Sequence, residues 1–173
     1  MDPIVLERIR EFLTTLAERY TEPASLYLLG GSALLMLGSG RFTLDIDYVG
    51  DDRHLDDFQR TIKQVADEFH IEVEPVPIDE FVPVTEGARD RSLFVGQFGT
   101  VRVFAFDPYT IAISKLDRGF EADIEDIVFL IRRGYVDLDR LQALTLDAID
   151  QAREFDLDPA AIRSHLRAVR GRL

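Results

Sequence analysis

The chain has 173 residues, 46% of them hydrophobic, with no cysteine and a formal net charge of −12. That length suits a single domain with an ordinary buried core, and the hydrophobic share excludes a disordered chain. The charge argues against a general nucleic-acid binder, which normally carries a basic face, while leaving a local basic patch open, and the missing cysteines exclude disulfides and thiolate metal sites.

The start, Met1-Asp2-Pro3, lacks a signal-like charged region, and no apolar run reaches the ~18 residues of a membrane span, so a cytoplasmic protein with no membrane partner is expected. Residues 3–20 set Ile4, Val5, Ile9, Phe12, Leu13, Leu16 and Tyr20 at helical spacing, an amphipathic helix ended by Thr21-Glu22-Pro23. Leu26 to Leu29 is a short apolar run broken by Gly30-Gly31, which predicts a buried strand entering a tight turn, with Ser32 opening a brief helix. At such a turn glycine lets a phosphate approach the backbone, and the free N–H groups and helix dipole favour an anion.

Asp45-Ile46-Asp47, followed by Tyr48-Val49, reads as a second strand. Side chains at i and i+2 share a face, so the two carboxylates stand together while Ile46 turns to the core. Such a pair repels unless a cation lies between its members, and hard oxygen ligands suit Mg²⁺. A lone D-x-D is more often a solvent-facing pair on an edge strand. Here Gly30-Gly31-Ser32 upstream and Arg41-Phe42-Thr43 just before add a phosphate cradle and a cation.

A helix is expected over about 53–69, then a strand, Ile71-Glu72-Val73-Glu74, whose glutamates share a face. Those glutamates are either auxiliary acids or a solvated face on an antiparallel strand. Beyond the prolines at 75, 77 and 83, a hairpin is predicted from 93–96 and 100–106, and its second strand carries no acid. Asp107-Pro108 opens a helix that ends at Gly119, with Lys115 and Arg118 on one face. A helix over about 121–133 follows, bearing Asp123 and Asp126 one turn apart. After Gly134 the pattern is helical, with caps at Asp137 and Asp158 and a basic stripe of Arg163, Arg167, Arg170 and Arg172 at the end.

Gly30-Gly31-Ser32 with Arg41-x-Thr43-x-Asp45-x-Asp47 resembles the signature of the DNA polymerase beta-like nucleotidyltransferase superfamily. The chain is most similar there to small nucleotidyltransferase-like proteins that include abortive-infection toxins, over at least residues 25–134, since D-P-Y-x-x-x-x-S-K-L-x-R followed by D-I-x-D-I fits their second block. The resemblance implies an α/β (α+β) fold, a mixed sheet with packed helices. It implies a nucleotidyltransferase core over 1–134 and a C-terminal helical segment, 135–173, continuous with it. It implies Mg²⁺ or Mn²⁺ on Asp45 and Asp47. A nucleoside triphosphate would be held by Gly30, Gly31, Ser32, Arg41, Thr43, Lys115 and Arg118, with Lys115 clamping a phosphate in the reaction.

Glu72, Glu74, Asp123 and Asp126 are then candidates for the third carboxylate that a two-metal site wants. The implied partners are an RNA, protein or small-molecule acceptor and an operon-encoded antitoxin or helix-turn-helix protein. Two other readings stay open: a nucleotide-binding module without turnover, and a salt-adapted protein whose acids are surface charge. In the latter, Lys115 and Arg118 pair with Asp123 and Asp126 to join two helices.

Overall fold

The computed structural model describes residues 2–173 and divides into two compact units, 1–77 with 92–106, and 78–91 with 107–173. The sequence reading described a core over 1–134 with a helical segment over 135–173 continuous with it; Gly134 lies within the second unit.

In chain order the first unit comprises α1 (Leu6–Arg19), β1 (Ala24–Leu28), α2 (Gly30–Met36), β2 (Asp45–Val49), α3 (Asp57–Phe69), β3 (Glu72–Val76) and, after an excursion into the other unit, β4 (Leu93–Phe98) and β5 (Val101–Ala105). The excursion contains the single turn α4 (Ile78–Phe81). The strands form one mixed sheet in the order β3-β2-β1-β5-β4. β1 is parallel to β5 and antiparallel to β2, while β2 is parallel to β3.

Burial alternates along the strands with the period of two that the sequence carries. Leu26, Leu28, Ile46, Tyr48, Val101, Val103 and Ala105 are buried, and Ile9, Phe12, Leu13 and Leu16 of α1 join them in the core. Desolvation there pushes the Tyr48 hydroxyl up to about 12.

Three local differences from the sequence reading have physical causes. α1 begins at Leu6, because the Ile4 N–H donates to the Thr43 carbonyl at 2.7 Å and Thr43 returns the bond at 3.0 Å. α3 begins at Asp57, where the Asp56 carboxylate accepts the Gln59 N–H at 2.8 Å and caps the helix. β3 runs through Pro75 and lies parallel to β2, as an edge strand whose free side needs no proline N–H.

The second unit is helical: α4, then α5 (Pro108–Arg118), α6 (Glu121–Arg132), α7 (Leu138–Asp150), the short α8 (Ala152–Phe155) and α9 (Pro159–Gly171). Asp107, Asp137 and Asp158 cap α5, α7 and α9 through their carboxylates, as their positions before the helical patterns predict. α5 packs on α6, α7 and α9. Among the described residues no helix is long and apolar enough to cross a membrane.

Candidate functional site

The Gly-Gly turn and the two aspartates meet in the first unit. The Leu29 N–H donates to the Asp47 carbonyl at 2.8 Å, which lays the start of α2 across the end of β2. Gly30 has φ +51°, and a Cβ there would fall 2.9 Å from Asp47 Oδ2; one on Gly31 would fall 2.5 Å from Thr43 Oγ1. Both glycines are therefore required by the close approach of the turn to the carboxylate strand.

Asp45 and Asp47 are half-buried on one face of β2, and Ile46 between them is buried in the core. The Thr43 hydroxyl points to Asp45 Oδ1 at 3.4 Å, so Thr43 orients a carboxylate. Ser32 is 1% exposed and its hydroxyl donates to the Leu29 carbonyl at 2.9 Å. That hydroxyl is committed to the turn and is not presented to a ligand. Arg41 is exposed on the loop entering β2, beside Phe42 at 61% exposure.

Parallel pairing sets Glu72 beside Asp45 and Glu74 beside Asp47 on the same sheet face. Asp45, Glu72 and Glu74 line a cleft of about 390 Å³ with Lys63 and Asp67 of α3. The four strand carboxylates do not converge: among the described residues no three acid, imidazole or thiol groups are placed to hold one metal ion. Asp45 and Asp47 fit a hard divalent cation by donor type, and the missing side chain at Gly30 is what lets the Asp47 carboxylate lie against the start of α2.

Lys115, Arg118, Asp123 and Asp126 come together in the second unit. Lys115 Nζ lies 3.2 Å from Asp123 Oδ1 and 2.8 Å from Asp126 Oδ2, and the lysine is 5% exposed. Arg118 donates twice to Asp123, whose carboxylate also accepts the Phe120 N–H at 3.1 Å. Burial works to raise the Asp123 carboxyl, but its hydrogen bonds to Arg118 and the neighbouring Lys115 charge hold it below the ordinary value. These residues thus tie α5 to α6.

One ion pair went unread in the sequence. Asp107, fully buried, accepts from Arg91 at 2.7 and 3.1 Å while capping α5 and taking the Thr110 hydroxyl at 2.8 Å. Its cap was legible; the partner 16 residues upstream carried no local signal.

A mixed sheet with a D-x-D strand lying against the glycines that open α2 is the arrangement that the resemblance to nucleotidyltransferases implies. The family described as "Nucleotidyltransferase of unknown function (DUF6036)" matches residues 5–161, and the chain belongs to it. Among curated proteins no sequence matches. The solved structure of an antigenic nucleotidyltransferase-like protein from Paracoccidioides brasiliensis is similar at 15% identity and a TM-score of 0.47, covering 94% of this chain and 95% of that one.

Proposed function

We propose that the chain transfers a nucleotidyl group from a nucleoside triphosphate to an acceptor hydroxyl. The observation that carries this reading is the close approach of Gly30 to Asp47, which sets the glycine backbone at the start of α2 against the carboxylate pair. Asp45 and Asp47 would hold Mg²⁺ or Mn²⁺, which would offset charge on the phosphates of the bound nucleotide. Thr43 steadies the Asp45 carboxylate, Gly30 and Gly31 let Asp47 and Thr43 lie directly against the start of α2, and Arg41 supplies an exposed cation on the loop entering β2.

Lys115 is assigned a bracing role. A phosphate ligand at Nζ would have to break two charge-assisted bonds at a nearly buried position, so the α5–α6 network accounts for it better. Arg118, Asp123 and Asp126 belong to the same brace. By the resemblance to abortive-infection proteins, the proposal extends to a toxin–antitoxin component acting on an RNA or protein acceptor.

A second reading, nucleotide binding without turnover, draws on β5. The residues there that share the aspartates' sheet face are Arg102 and Phe104, so this strand brings no third acid. The two readings separate when the purified protein is incubated with each α-³²P-labelled nucleotide, Mg²⁺ and cell lysate, beside Asp45→Asn/Asp47→Asn. Label moved by the wild type and lost in the variant supports transfer; Mg²⁺-dependent binding without label transfer supports the module; neither would sink both.

A further inference from the structure

The sheet face that carries Asp45 and Asp47 changes character on the far side of β1. Tyr27 of β1 stacks on Phe104 of β5, with centroids 5.1 Å apart and planes 18° apart. Phe94 of β4 meets Phe104 edge-on at 5.7 Å. Arg102, two residues before Phe104 and so on the same face, places its guanidinium 5.1 Å from the Phe104 centroid and 5.7 Å from that of Phe94.

Two features of this cluster call for an occupant. Phe94 is 54% exposed and Arg102 is exposed, so ring and cation are open to solvent. Arg102 also has no carboxylate partner among the described residues, although the chain carries 32 acidic residues. An arginine held over aromatic rings with its charge unneutralised is complementary to an anion that also brings a flat π-face.

We propose that this face of β1, β5 and β4 binds single-stranded nucleic acid, with a base stacking on the exposed Phe94, while Phe104, stacked on Tyr27, backs that ring and the Arg102 guanidinium, and with a backbone phosphate meeting Arg102. Stacking on aromatic side chains of a sheet tolerates any base, because every base has a π-face, and it requires bases that are splayed out of a duplex. The chain's net charge of −12 confines the contact to this local patch, so stacking and a single phosphate, and not a broad basic surface, set the affinity. Arg102 lies two strand spacings across the sheet and four residues along it from Asp47, about 16 Å in all. The binding claim stands alone; its use, presenting an acceptor strand to the carboxylate pair, rests on the transferase reading.

The experiment is fluorescence anisotropy with labelled short oligouridine and oligothymidine, at low and physiological salt, with no nucleoside triphosphate present. The full chain should bind the single strands more tightly than a duplex of equal length, and more weakly as salt rises. Phe94→Ala and Arg102→Gln, both exposed and expected to melt like the wild type, should each weaken binding about tenfold, and Phe94→Trp should restore it. Asp45→Asn/Asp47→Asn should bind as the wild type does.

No binding by the wild type, equal binding by the variants, or equal affinity for duplex would overturn the inference. So would a change of oligomeric mass in Phe94→Ala, which would assign the face to a second copy. Binding that behaves as expected in a protein that moves no label would leave this site standing and remove the transferase reading.

Discussion

Gly30 and Asp47 are held so close that a single methyl group on the glycine would fall 2.9 Å from the carboxylate oxygen. The contact is made in a backbone conformation, φ +51°, that costs an L-residue about 1–2 kcal/mol. Gly30→Ala should therefore lower stability by about that amount and turn Asp47 away from Asp45. Urea melts give the first quantity, and Mg²⁺-dependent nucleotide affinity the second. An affinity unchanged in a folded Gly30→Ala protein would mean that the turn and the carboxylate do not act together.

The α5–α6 brace makes a separate prediction. Lys115→Met removes the cation from between Asp123 and Asp126 and leaves buried carboxylates short of a partner, a change that costs about 3–5 kcal/mol in comparable sites. The denaturation midpoint should fall accordingly, and Lys115→Met/Asp126→Leu should recover part of the loss. A full-stability Lys115→Met protein would return the lysine to the list of candidate ligands.

Acid should weaken the same brace. Folding lowers the Asp123 carboxyl despite the opposing effect of burial, because Arg118 and Lys115 favour its charged form. Its stabilising contribution is thus complete above the ordinary carboxylate value, about pH 4, and is lost as pH falls through the depressed folded value. Stability measured downward from pH 5 should decline less steeply in Asp123→Asn than in the wild type. High salt isolates this effect, since the Arg53–Asp51 and Arg172–Glu121 pairs at the surface are screened.

Arg91 and Asp107 are predicted to behave as a structural pair. Asp107 is wholly buried, so Arg91→Met should cost about 3 kcal/mol even though the Tyr109 N–H and Thr110 hydroxyl still reach the carboxylate. Thermal melting of Arg91→Met beside Arg89→Met, a loop neighbour, provides the comparison; equal effects would remove the special role given to the buried pair.

What was legible in the sequence was what is local. The strand followed by a short helix from 24 to 36, the shared face of Asp45 and Asp47, and the caps at Asp107, Asp137 and Asp158 all follow from spacing within a few residues, although the helix opens at Gly30 and takes in both glycines where the sequence reading began it at Ser32. Pairing over distance was not legible. The parallel register that sets Glu72 beside Asp45, the Ile4–Thr43 bridge that delays α1, and the Arg91–Asp107 pair join segments whose meeting no local pattern encodes. The alternation of Arg102 and Phe104 on β5 was visible, but its stacking with Tyr27 and Phe94 required the strand order.

The account centres on Asp45 and Asp47 as the pair that binds the metal with the nucleotide, and electron paramagnetic resonance of Mn²⁺ tests that most directly. Titrated into wild-type protein with a non-hydrolysable nucleoside triphosphate, Mn²⁺ should be taken up by a saturable site beyond what the same concentration of nucleotide binds without protein, and Asp45→Asn/Asp47→Asn should abolish that excess. Equal excess uptake by the folded double variant, or no excess with the wild type, would contradict the account.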